Sequence, residues 1–313
     1  MSTVRPPSGP WRYRFAVLTA CATLALIFIG GLVTSTGSGL AVPDWPLSYG
    51  MLMPPMVGGV LYEHGHRLAA TAVGLLTLIL TLWTARVESR RGVRRLAWAA
   101  LGIIIAQGVL GGVTVLLLLP DSVSVAHGTL AQTFLCVIIT LAYVLSPESA
   151  ASEVAADRAG VRSAALAAAA LVYVQLILGA IMRHMGAGLA IPDFPLAMGR
   201  LIPPLESSHV IIHFAHRVWA LAVLAGVVVL WHRCRRQGSD RLQALPALVL
   251  TLSLTQVFLG GLTVLSGRSV LPTTLHVANG AAILGGCWLT ALRARRLLLP
   301  EPALRSPAGA AVR

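Results

Sequence analysis

The chain has 313 residues, 56% of them hydrophobic and 11% charged, where a soluble domain of this length carries about a quarter charged residues. Its formal net charge is +13, but most of the basic residues, all arginine, stand in short segments between or beyond apolar runs. A nucleic-acid groove would interleave such charge with aromatics, so no nucleic-acid partner is expected.

The apolar runs are each close to the roughly 20 residues that cross a bilayer as a helix, and none alternates as a barrel strand does. Arg5, Arg12 and Arg14 precede the first run, predicted at 15–34 and read as a span rather than a cleaved signal. The second is predicted at 61–83, followed by Arg86, Arg90, Arg91, Arg94 and Arg95. The third and fourth, at 96–119 and 123–145, meet in a tight turn at Pro120-Asp121. The polar stretch Ser146 to Gly160 reads as a linker, dividing the chain into 1–150 and 151–313. Four further spans are predicted at 162–182, 209–231, 242–265 and 272–292. Arg233, Arg235, Arg236 and Arg241 follow the sixth span, and Arg293, Arg295 and Arg296 the eighth. This is the positive-inside pattern with both termini cytoplasmic. The expected fold is an all-α integral membrane protein of eight transmembrane helices in the cell membrane. Cys21, Cys136 and Cys287 fall inside apolar runs and Cys234 among cytoplasmic arginines, so no structural disulfide is expected.

Internal repetition organises the chain. Gly37-Ser-Gly-Leu-Ala-Val-Pro-Asp-Trp-Pro46 returns as Gly186-Ala-Gly-Leu-Ala-Ile-Pro-Asp-Phe-Pro195, and Pro54-Pro55 as Pro203-Pro204. Gln107-Gly-Val-Leu-Gly-Gly-Val-Thr-Val-Leu116 returns as Gln256-Val-Phe-Leu-Gly-Gly-Leu-Thr-Val-Leu265. His127 falls on His276 at the same offset, and His66-Arg67 on His216-Arg217 with one inserted residue. Each half holds an even number of spans, so the halves are expected to be parallel four-helix bundles related by an axis along the membrane normal.

His66, His127, His216 and His276 each stand a few residues inside the external end of an even-numbered span, about 6–10 Å below the outer surface. Histidines at one level on facing helices of a bundle make a cofactor site. Zinc would want a third or fourth ligand that neither half supplies, whereas haem iron needs only axial ligands. Gly111-Gly112 and Gly260-Gly261 offer the close helix approach that a porphyrin wants. Arg67 and Arg217 are placed to pair with porphyrin carboxylates. Trp45 and Phe194 are lids or interfacial anchors, and Asp44 and Asp193 are turn caps. His184 and His209 are expected to be solvated, and His232 to complement a helix dipole. His64 lines the site mouth or the interface. The halves differ at one position. Glu63 stands three residues before His66 where His213 stands three before His216, and i, i+3 residues share a helix face. Both are expected to project toward their pockets. An acid at membrane depth marks a functional site, the plainer possibility being an ion pair with Arg67.

Glu63-His-Gly-His66-Arg67, the external Gly-Leu-Ala-Val-Pro-Asp-Trp-Pro loop, His127, His213-Phe-Ala-His216-Arg217 and His276 together resemble the haem A synthase family over about residues 12–295. The resemblance implies a membrane oxidoreductase that matures the haem of terminal oxidases. It implies that haem b is a redox cofactor on His216 and His276 in the C-terminal half. Haem O, the substrate, is implied between His66 and His127, where a porphyrin methyl group is oxidised stepwise to a formyl group, giving haem A. Glu63 matches the family's functionally important acid. A haem O synthase is a candidate partner, with the direct passage of haem O from it left open, as is the electron donor, quinol or another reductant. The chain departs from many family members in having no cysteine in either external loop. Two other classes compete: a bis-histidine cytochrome b that only carries electrons, and a transporter of parallel repeats. Electron transfer needs no acid beside one haem. A transporter usually has broken helices at the midplane, whereas the polar residues here cluster on the external side.

Overall fold

A computed structural model describes residues 9–150, 160–237 and 243–297. Most of the predicted linker, together with Arg5 and Arg241, lies outside the described residues. The described chain is helical, with no β-structure beyond two isolated bridges. Eight helices are long and apolar enough to cross a membrane. They are α1 (Pro10–Ser35), α2 (Gly59–Val87), α3 (Arg91–Leu116), α4 (Asp121–Leu145), α6 (Val161–His184), α7 (Ser208–Gln237), α8 (Ala244–Leu265) and α9 (Val270–Leu297). A single turn, α5 (Pro147–Ala150), follows α4.

All eight predicted spans are present, and most helices run past the predicted edges because arginine-bearing turns continue an apolar helix. The third ends short. It stops at Leu116 rather than at 119, because Leu118 and Leu119 take positive φ of 61° and 60°. The Leu119 amide closes back on the Thr114 carbonyl at 2.7 Å. Neither residue is a glycine, and left-handed backbone is uncommon for branched side chains.

Helices α1 to α4 close a ring, α1 packing on α2 and α4 and α3 on both of those, so that α2 and α4 face each other diagonally. Helices α6 to α9 pack in the same order, with α7 and α9 diagonal. The two rings meet where α1 and α4 pack on α6 and α9. Small buried residues line both cores, Ala16, Ala97 and Ala100 in the first and Ala165, Ala168 and Cys287 in the second. Leu80, Phe134, Ile138, Val227, Leu230 and Leu284 fill the space between them. In lipid, helix association rests on such close packing and on interhelical hydrogen bonds. Bonds of that kind cross the seam: Trp288 Nε1 donates to Thr140 Oγ1 at 2.8 Å, and Thr133 and Tyr173 hydroxyls meet at 2.7 Å. At the end of the bundle holding the N-terminus, Glu88 in the α2–α3 turn pairs with Arg90 at 2.8 Å and Arg12 at 2.9 Å. The hydrogen bonds from Arg90 first, and the nearby Arg12 charge, hold the Glu88 carboxyl down at about 2. All four cysteines are free. Cys21 faces outward, although it lies in an apolar run.

Candidate functional site

At the opposite end of the bundle, the four singled-out histidines each enter a notch in the preceding helix, and the notch is a glycine every time. A Cβ on Gly111 of α3 would lie 3.0 Å from His127 Cε1, and one on Gly260 of α8 would lie 3.1 Å from His276 Cε1. Gly179 of α6 stands in the same relation to His216 at 3.0 Å, and Gly30 of α1 to His66 Nε2 at 3.1 Å. All four imidazoles are half-buried.

A glutamine one helical turn before the glycine secures three of the four. Gln107, Gln175 and Gln256 donate through Nε2 to the backbone carbonyls of His127, His216 and His276 at 3.0, 3.0 and 2.9 Å. Leu26 occupies the matching place before Gly30, so His66 has no such tether. Gln107 and Gln256 open the repeated ten-residue motif, so the repeat itself marks these two glutamines. Gln175 has no repeat partner to draw attention to it.

The rings fit a metal held from two sides. The His216 and His276 centroids are 6.4 Å apart. With metal–nitrogen bonds of about 2 Å and ring centres about 1.1 Å beyond each nitrogen, two imidazoles on opposite sides of one metal stand roughly 6 Å apart. His127, His216 and His276 each leave a buried Nδ1 without a protein partner, and native interiors rarely leave such a nitrogen unsatisfied. Among the described residues no group of three or more potential ligands gathers. The donor set therefore suits a cofactor that brings its own equatorial ligands, such as haem.

Over each mouth lies the duplicated loop. Trp45 packs on Gly112, where a Cβ would come within 2.5 Å of Cδ2, and Phe194 packs on Gly261, where it would come within 2.8 Å of Cδ1. The two neighbouring glycines of each motif thus divide their work, the first seating a histidine and the second an aromatic ring. Asp44 caps the turn beneath by accepting from the Tyr49 and Gly50 amides at 2.7 and 2.9 Å. Asp193 does so from Met198 and Gly199 at 2.6 and 2.8 Å. Those amides, the glycine's most strongly, lower both carboxyl pKa values. The expected capping role is what the structure shows.

Arg67 and Arg217 are turned to these loops. Arg67 donates to the Asp44 and Leu47 carbonyls at 2.7 and 2.9 Å and to that of Val42 at 3.2 Å. Arg217 donates to Leu196, Ile191 and Asp193 carbonyls at 2.9, 3.0 and 2.8 Å. Glu63 is 4% exposed. It pairs with Arg67 at 2.7 Å and accepts from the Val42 amide at 2.8 Å. His213, 3% exposed, accepts from the matching Ile191 amide at 3.3 Å through Nδ1. Glu63 and His213 thus hold the same loop position by different chemistry. A second difference adjoins the first. His64 is buried and meets Ser48 Oγ at 2.8 Å, where Phe214 and Ala197 stand in the other ring. His209 is exposed as expected. His184, expected in solvent, instead ends α6 half-buried.

The seat geometry carries a prediction. Gly260→Ala, which pushes a methyl to 3.1 Å from the His276 ring, is expected to weaken haem binding about tenfold by displacing a ligand from its geometry. Gly108→Ala, where a Cβ meets nothing within 4 Å, should leave binding unchanged. Haem titration of the purified protein, followed by absorbance, checks both.

The chain was compared with known proteins. The sequence profile of the cytochrome oxidase assembly protein family matches residues 13–59 and 57–288. A protein of Symbiobacterium thermophilum named heme A synthase is 35% identical over 282 residues, covering 86% of this chain and 89% of that one. Proteins of the same name from Halalkalibacterium halodurans and Methylobacterium radiotolerans are 30% and 29% identical, covering 84% and 95% of this chain and 90% and 92% of theirs. With four glycine-seated histidines in an eight-helix frame and relatives alike over most of their length, the chain belongs to the haem A synthase family of membrane enzymes.

Proposed function

We propose that this chain oxidises a methyl group of haem O to a formyl group, giving haem A, and that its two rings of helices divide the labour. His66 and His127 hold the substrate in the first ring, residues 1–150. His216 and His276 hold haem b in the second, residues 151–313. Bound there, haem b would supply one-electron transfer at the substrate site. Turning the methyl into a formyl group removes four electrons and adds one oxygen atom, which dioxygen with a reductant such as quinol, or water with an electron acceptor, would balance. The termini face the cytoplasm and both haem sites lie toward the external side, in keeping with the arginine distribution. A haem O synthase is the expected source of substrate.

The observation that carries this reading is a symmetric ligand frame with an asymmetric flank. Four histidines occupy equivalent glycine seats, yet Glu63 and His64 flank the first site where His213 and Phe214 flank the second. A carrier of electrons alone has no use for that difference. Loop anchoring does not by itself require an acid, because His213 performs it. The acid of the first ring is therefore assigned to charge and proton handling beside the methyl group. The missing glutamine tether at His66 leaves that ligand freer to admit and release a substrate, while both ligands of the second site are tethered, as suits a resident cofactor. Trp45 and Phe194 close the mouths, and Arg67 and Arg217 hold the loops that carry them.

The test is mass analysis of haems extracted from membranes expressing the chain together with a haem O synthase. Haem A, or its hydroxylated precursor, is the expected product. Haem b and unmodified haem O alone, from folded protein supplied with reductant, would contradict the assignment and favour an electron-carrying cytochrome.

A further inference from the structure

Arg183 lies in the last turn of α6, at the seam between the rings. Its Nη2 reaches across to α1, donating to Ser35 Oγ at 3.0 Å and to the Gly31 carbonyl at 3.5 Å. Gly31 adjoins Gly30, the seat of His66. Ser35 Oγ in turn accepts from Thr274 Oγ1 at 3.1 Å. Thr274 is fully buried on α9, two residues before His276. One guanidinium therefore joins α6 and α1, and through Ser35 α9, between a ligand of each site.

Among the described residues no carboxylate lies within ion-pair distance of Arg183, and neither Nη1 nor Nε makes a hydrogen bond. A second cation, Arg268 of the α8–α9 turn, is within electrostatic range, as is His276. The position is no product of the repeat, since Thr34 stands 149 residues earlier. Arg183 itself is half-buried in the last turn of α6 while Arg268 is exposed, and a half-buried cation at the edge of a membrane span is costly unless an anion joins it. Arg67 spends its donors on loop carbonyls and the Glu63 carboxylate, and Arg217 on loop carbonyls, so both are already engaged within the protein.

We propose that Arg183 binds a carboxylate side chain of the porphyrin held by His216 and His276, anchoring it at the seam and tuning its reduction. This rests on the haem reading above. A guanidinium offers a fork of donors that matches a carboxylate, and a fixed cation beside the iron disfavours its oxidised, more positive state.

The test uses the full-length protein in detergent, with Arg183→Gln and Arg183→Lys. Haem b titration of the haem-depleted protein gives affinity, and redox titration of the bound haem gives its potential. Arg183→Gln is expected to weaken binding at least tenfold and to shift the reduction equilibrium about tenfold toward the oxidised form, a fall of 59 mV for one electron. Arg183→Lys keeps the charge without the fork, so the potential should stay within a few-fold of the original equilibrium while affinity falls several-fold. Unchanged affinity and potential in Arg183→Gln, with only thermal stability lost, would overturn the proposal and leave Arg183 an interhelical strut. Should that variant fail to fold, Arg183→Lys decides, unchanged affinity overturning the proposal. If the unaltered protein takes up no haem b, it is the haem reading that fails, and the two failures are told apart.

Discussion

Replacing His276 by alanine is expected to empty the second site, with haem affinity falling by about a hundredfold or more, near 2.8 kcal/mol at 1.4 kcal/mol per tenfold. The physical reason is that nothing stands in reserve. Gly260 supplies no side chain to fill the space the ring leaves, Gln256 bonds the backbone of residue 276 rather than the iron, and among the described residues no further ligand cluster lies near. His216→Ala should do the same, since its ring centre is 6.4 Å from that of His276 and a metal between them needs both. Product formation should stop with either. His66→Ala and His127→Ala should also stop it, but leave the cofactor's absorbance spectrum intact. Spectra of the four purified variants, alongside extraction of their haems, check the division of labour. Loss of the same absorbance in all four would mean that the rings do not hold different haems.

The second large effect is at Glu63. Glu63→Ala strips the Val42 amide and the Arg67 guanidinium of their partner at once. Removing one member of a buried pair costs about 3–5 kcal/mol, so the external loop should loosen as well as the chemistry fail. Glu63→His is the sharper variant, because it imports the solution that His213 already provides in the other ring. The loop amide keeps an acceptor, the cofactor spectrum should be unaltered, and oxidation of haem O should slow by about 10²–10⁴, the range ascribed to a positioned acid or base. Turnover assayed in membranes supplied with haem O decides the matter. Full activity in Glu63→His would reduce Glu63 to a loop anchor.

Much of this was legible in the chain. Hydropathy placed all eight spans, because a bilayer demands long uninterrupted apolar helices whatever the tertiary fold. Repetition picked out His66, His127, His216 and His276, because the two copies of one frame keep their histidines in register but for a single inserted residue. Other features depend on how backbones meet. Gly30 and Gly179 look like any glycine in an apolar run, and only the packing of α1 on α2 and α6 on α7 makes them seats. Arg67 and Arg217 carry donors equally able to bind a carboxylate or a carbonyl, and only the packing of each loop shows that both reach loop carbonyls and that Arg67 also meets the Glu63 carboxylate. The early end of α3 arises from left-handed leucines, a conformation that sequence patterns assign to glycine or asparagine. Arg183 breaks the repeat, so self-similarity could not flag it.

The central claim is that one ring keeps its haem and the other changes it. Its most direct test is the haem content of purified protein from cells that also make haem O, measured by extraction and mass analysis before and after aerobic incubation with reductant, and again with water and an electron acceptor. The account predicts haem b in unchanging amount, together with haem O that declines as its hydroxylated form or haem A appears. Two equivalents of haem b per chain, stable throughout and with nothing oxidised, would contradict it.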